Sequence, residues 1–100
     1  MTEPFVPTPA PPRLRLGRLL ATPAAMEALQ EAGVSIFGLI NRHARGDWGD
    51  VPEEDRLRNN LAAITSQRVL SGYLLPNRQM VWVVTEWDRS VTTVLLPSDY

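Results

Sequence analysis

Val69-Leu70-Ser71-Gly72-Tyr73-Leu74-Leu75, then Pro76-Asn77-Arg78-Gln79, then Met80-Val81-Trp82-Val83-Val84-Thr85: these seventeen residues decide the fold. Both flanks are rich in β-branched and aromatic residues, which suit a pleated, half-buried surface. The four residues between them begin with proline and carry no apolar side chain, as a tight turn requires. The reading is a hairpin with Met80–Thr85 as its central strand. Downstream, Val91-Thr92-Thr93-Val94-Leu95-Leu96 is a third strand that Pro97 ends, and Trp87-Asp88-Arg89-Ser90 turns the chain between the two. Connections this short predict an antiparallel meander.

Upstream the period changes to that of helices. Thr22 is an N-cap candidate with Pro23 at the first helical position, and Gly33 is the stop, so a helix is predicted over Pro23 to Ala32 with Met26 and Leu29 inward. Leu14-Arg15-Leu16 ahead of it alternates and reads as a short edge strand or an extended lead-in. A second helix follows Ser35, its expected N-cap. Ile36, Phe37, Leu39 and Ile40 supply the apolar side, Arg42, His43 and Arg45 suit the negative helix end, and Gly46 is the stop. Gly46-Asp47-Trp48-Gly49-Asp50 is a connecting loop with Trp48 large enough to plug it onto the core. Asp50 with Glu53 resembles a capping box for a third helix, whose Leu57, Leu61 and Ile64 give the expected buried stripe. The predicted fold is α+β: about three N-terminal helices packed on a C-terminal three-stranded antiparallel sheet. Residues 14–100 form that single domain. Residues 1–13 form a disordered or extended proline-rich arm, with Pro4, Pro7, Pro9, Pro11 and Pro12 fixing φ and a minimal PxxP pattern at Pro9 to Pro12.

Composition narrows function by exclusion. The 100 residues contain no cysteine, so disulfides and thiolate metal sites are out, and 44% apolar content suits a packed domain. No apolar run approaches the ~20 residues of a membrane span, and Glu3 and the prolines stand where a signal peptide would carry basic and apolar residues. The expectation is a cytoplasmic protein with no membrane partner. All ten basic residues are arginine, and the net charge is −1. Near-neutrality argues against general electrostatic binding of nucleic acid. Arg13, Arg15 and Arg18 still form a local basic cluster.

Two segments are candidate sites. His43, Asp47, Asp50, Glu53 and Glu54 fall within a dozen residues, the residue types of a hard-metal or acid–base site. Capping explains Asp50 and Glu53, the helix dipole explains His43 and turn formation explains Asp47, and no metal-loop spacing is present; no metal or cofactor is expected. The second segment is Thr85-Glu86-Trp87-Asp88-Arg89-Ser90. Asp88 and Ser90 are ordinary turn residues, whereas Trp87 and Arg89 have the chemistry of a contact surface. The expected binding residues are Trp87, Asp88, Arg89, Trp48 and Asp47. Trp48, Trp82 and Trp87, with Phe37 and Tyr73, are also expected to fill the core. No nucleophile elbow or glycine-rich phosphate loop appears.

Leu19-Leu20-Ala21-Thr22-Pro23, Arg42-His43 leading into Gly46-Asp47-Trp48-Gly49-Asp50, Thr85 to Ser90, and Leu95-Leu96-Pro97-Ser98-Asp99-Tyr100 occur in that order. In this the chain, from about Gly17 to Tyr100, resembles a family of small bacterial proteins carried on plasmids and integrative elements, labelled plasmid-related proteins or type I restriction subunits. A restriction subunit would need a methyltransferase domain and an Asn/Asp-Pro-Pro-aromatic motif, which these residues do not hold. The resemblance implies an accessory role for a mobile element and carries no catalytic residue with it. Together the readings point to a non-enzymatic protein that binds a host or element-encoded protein partner, for example as an anti-restriction or anti-CRISPR factor. The alternative is a small ribonuclease-toxin-like enzyme in which Arg42, His43, Glu86 and Arg89 converge on one cleft. Pairing between copies through an exposed strand edge is a third possibility.

Overall fold

The computed structural model describes Thr2 and residues 13–100. The expected extended arm falls almost wholly outside them. The elements are β1 (Arg18–Ala21), α1 (Pro23–Ala32), α2 (Ile36–Ala44), α3 (Glu53–Ile64), β2 (Val69–Leu74), β3 (Met80–Thr85) and β4 (Val91–Leu95), with a closing 3₁₀ turn over Pro97–Asp99. The α+β class and the β2–β3–β4 meander are as read from the sequence. The sheet, however, has four strands in the order β1-β4-β3-β2, and β1 pairs parallel to β4, so it is mixed and not purely antiparallel. The fourth strand is Arg18–Ala21 and not Leu14–Leu16. Its four residues show no alternation, because three of them are exposed at the sheet edge. Gly17 makes the junction possible. It sits at φ 66°, and a Cβ there would meet the carbonyl oxygens of Arg89 and Ser90 at 2.4 Å.

α1 and α2 cover one face of the sheet. Ala25, Ala28 and Leu29 of α1 and Leu39 and Ile40 of α2 pack with Tyr73, Val81, Val83 and Val94. The α1 ends follow the sequence: Thr22 Oγ1 accepts from the Ala25 N–H at 3.1 Å, and Gly33 takes the left-handed conformation. Met26 points outward, because the buried face of α1 runs through Ala25, Ala28 and Leu29 at i, i+3, i+4 and leaves position 26 to one side of it. Phe37 and Trp87 are exposed too, so the core contains fewer aromatics than expected.

α3 departs most from expectation. Its buried residues are Asn59 and Ala62, while Leu57, Leu61 and Ile64 are 55%, 57% and 78% exposed. The reason is what it packs against. α3 lies along β2, which is an edge strand, and a sheet edge presents backbone polar groups. Asn59 answers them: its Nδ2 donates to Leu70 O at 2.8 Å and its Oδ1 accepts from Leu70 N at 3.3 Å. An aliphatic residue there would leave that donor and acceptor unpaired, at about 1–3 kcal/mol each. The helix therefore turns its polar and small side inward and its aliphatic stripe to solvent.

The loop before α3 closes more of the same edge. Asp50 N–H donates to Gly72 O at 2.6 Å, Gly72 N–H to Trp48 O at 3.1 Å, and Asp50 Oδ2 accepts from Leu74 N at 2.8 Å. Asp50 thus caps a strand and not the third helix, whose N-cap position is held by Pro52 without a side-chain bond. Gly49, at φ 77°, lets the loop come this close, since a Cβ on it would lie 2.2 Å from Gly72 O. The opposite edge, β1, carries the exposed Leu19 and Leu20.

Candidate functional site

His43 lies in the last turn of α2 and is fully buried; it is not a solvated partner of the helix dipole. Its Nδ1 lies 2.5 Å from Ser71 Oγ of β2 and its Nε2 2.8 Å from Thr85 Oγ1 of β3. Thr85 Oγ1 in turn lies 2.7 Å from Thr92 Oγ1 of β4, and the Thr92 hydroxyl reaches Leu16 O at 2.7 Å. A carbonyl only accepts, which fixes the direction of every bond in this series. Thr92 donates to Leu16 O, so Thr85 donates to Thr92 and His43 Nε2–H donates to Thr85. Nδ1 is left to accept from Ser71. The series fixes a proton on Nε2, and one side chain joins α2 directly to β2 and β3 and, through Thr85, to β4. Burial pushes its pKa down to about 4, with the Arg89 charge adding to the effect. Trp48 packs edge-on to this ring at 5.6 Å.

The Asp47–Asp50 loop is held from both sides. Arg42 Nε donates to Asp47 Oδ2 at 2.7 Å, and this bond holds the Asp47 carboxyl below the usual carboxylate range. Tyr73 Oη–H donates to Asp47 O at 2.7 Å, and burial raises the phenol to about 12. The Arg42 guanidinium stacks over the Tyr73 ring at 4.7 Å. Trp48 is buried, with its indole N–H donating to Asn60 Oδ1 at 2.8 Å. Glu53 pairs with Arg56 on the surface of α3. Among the described residues no group of three His, Asp or Glu side chains is placed to hold a metal ion.

In the Thr85–Ser90 segment the roles divide. Asp88 Oδ1 accepts from Ser90 N and Oγ at 3.1 and 2.6 Å, and Glu86 pairs with Arg68 at 3.6 Å. Arg89 takes a left-handed backbone, φ 60°, and sends its guanidinium to backbone carbonyls: Gln67 O at 2.6 Å, Ala62 O at 3.0 Å and Glu86 O at 3.1 Å. It caps the C-terminal end of α3, where orphan carbonyls and the negative dipole end coincide. Trp87 stands apart, exposed. Of the four residues that a nuclease cleft would unite, His43 is enclosed with both ring nitrogens engaged, Arg42 and Glu86 are ion-paired, and Arg89 caps a helix.

What the structure does bring together is a cleft of about 490 Å³ between the lead-in to β1 and the ends of α2 and α3. Arg13, Arg15, Arg45 and Arg89 rim it, Leu14, Ala63 and Ile64 give it apolar surface, and among the described residues no carboxylate lines it. Ile64 connects this cleft to the exposed stripe of α3. Arg13 and Arg15 were visible in the sequence as a basic cluster, but Arg45 and Ile64 join them only through the fold. Among the described residues no helix is long and apolar enough to cross a membrane. No family model, curated protein or solved structure matches the chain.

Proposed function

We propose that this is a non-enzymatic protein-binding module that seats its partner on the outward stripe of α3. The observation that carries the proposal is the exposure of Leu57, Leu61 and Ile64 on one helix face. A small domain that leaves three large aliphatic side chains in line forgoes about 1.5–3 kcal/mol for each one it could have buried, and contiguous exposed apolar surface is characteristic of interaction sites. The sequence resemblance supplies the setting we adopt: an accessory protein of a mobile element, with a host or element-encoded partner and restriction and CRISPR complexes as the first partners to try. The test is affinity capture of the tagged chain with purified defence complexes, alongside a Leu61→Glu/Ile64→Glu variant. A stoichiometric complex that the variant loses, while its unfolding midpoint stays unchanged, is the expected result. A complex that survives both substitutions contradicts the reading, as does a monodisperse monomer that joins none of them.

A further inference from the structure

Resting on the reading that α3 docks a protein, we infer that the docked segment is an acidic amphipathic helix, with its aliphatic side on Leu57, Leu61 and Ile64 and its carboxylates on the arginine-rimmed cleft. Charge decides the class of partner. Among the described residues the cleft is lined by four arginines and no acid, and Arg13, Arg15 and Arg45 have no ion-pair partner there. The ends of α2 and α3 at the cleft contribute about half a negative charge each, which leaves the rim strongly positive even after Arg89 has capped α3. Such a surface in a chain of net charge −1 is a local feature and not a by-product of overall basicity.

The apolar part decides between acidic ligands. Single-stranded nucleic acid combines phosphate contacts with bases stacked on aromatic faces. Among the described residues the only aromatic side chain at this cleft is Trp48, which is 4% exposed and edge-packed on His43, so they offer no stacking face. The surface is aliphatic instead, and it continues along α3. Leu57 to Ile64 spans about 10 Å of helix, two turns. That matches the i, i+4, i+7 anchors by which an amphipathic helix meets an apolar surface. Carboxylates at the end of such a helix then reach Arg15 and Arg45.

The test uses a helix-forming synthetic peptide with leucines at i, i+4 and i+7 flanked by glutamates, a glutamine-for-glutamate version of it, and a single-stranded oligonucleotide, each titrated into the full chain by calorimetry. The acidic peptide is expected to bind, and about tenfold more weakly in an Arg13→Gln/Arg15→Gln/Arg45→Gln variant or at about 0.5 M salt. The glutamine peptide is expected to match that weakened binding. Binding that Leu61→Glu abolishes but neither the arginine variant nor salt affects would overturn the acidic assignment and leave the docking stripe intact. Tighter binding of the oligonucleotide would overturn it in favour of nucleic acid. A dimer in light scattering that Leu61→Glu dissolves would assign the stripe to a second copy, and absence of peptide binding would also refute the inference.

Discussion

Acid should weaken this protein well before its carboxylates titrate, and His43 is the reason. Its pKa falls from the ordinary 6.5 to about 4 in the folded chain. A lowered histidine pKa means that the unfolded chain binds the proton more readily than the folded one. Stability from this group is therefore complete above about pH 6.5, declines as pH falls from 6.5 toward 4, and is level below that. At 1.36 kcal/mol per pH unit the whole change is roughly 3 kcal/mol, a large part of the 5–15 kcal/mol typical of a domain. The geometry explains why folding resists the proton. A charged ring would give up its hydration inside a site with no water-facing surface, and the Arg89 guanidinium adds repulsion. Urea unfolding at steps between pH 7.5 and 4.5 measures the slope, with His43→Gln as the variant that cannot titrate. The wild-type midpoint should stay level down to about pH 6.5 and fall steadily below it, while the variant, though less stable at pH 7, stays nearly flat throughout. His43 is the only histidine, so its ring protons report the same event by NMR without assignment. A ring that titrates near 6.5, or a wild-type stability unchanged between pH 7 and 5, would refute the buried neutral relay. The carboxyls of Asp47, Asp88 and Asp99 also shift, but downward from 3.8, so their contributions are present above that value and are lost only as pH falls below it.

Asn59→Leu should cost about 2–4 kcal/mol in urea unfolding, since it strips the Leu70 N–H and C=O of their partners; a neutral result would mean that water replaces the amide. Arg89→Ala should destabilise by about 1–2 kcal/mol and raise hydrogen exchange in the last turn of α3, with Arg89→Lys restoring little because a single ammonium cannot reach three carbonyls. Trp87→Ala should leave stability within about 0.5 kcal/mol, as its exposure implies, and a larger loss would show hidden packing. Gly49→Ala should destabilise by more than about 2 kcal/mol through the left-handed backbone and the contact with Gly72 O, checked by the thermal midpoint.

The parts legible in the sequence are those fixed by neighbours along the chain. Thr22 and Pro23 start α1 and Gly33 stops it, and the turn at Pro76–Gln79 makes a hairpin of the strands beside it, because each depends on residues a few positions apart. β1 was not legible because its partner lies some 70 residues away and its residues show no alternation. Asp50 looked like a helix cap because the sequence shows the helix just after it and not the Leu74 N–H across the fold. The sequence shows the stripe of α3 but not the side it faces: apolar periodicity finds a helix's apolar face, whereas packing on a sheet edge selects for hydrogen bonds. The candidate site shows the same division. Asp47 and Asp88 form turns as expected and Trp87 is accessible, but Arg89 reaches back to α3, and the cleft joins Arg13 and Arg15 to Arg45 and Ile64 only after folding.

The whole account turns on which side of α3 faces water, and the absence of cysteine makes that directly measurable. Leu61→Cys and Ala62→Cys place a thiol at adjacent positions, one 57% exposed and the other 3%. Under native conditions a maleimide should label Cys at position 61 as fast as in the unfolded chain and Cys at position 62 slower by orders of magnitude, limited by opening of the fold. Rapid labelling at 62 with protection at 61 would mean that the helix buries its aliphatic stripe after all, and the docking surface would not exist.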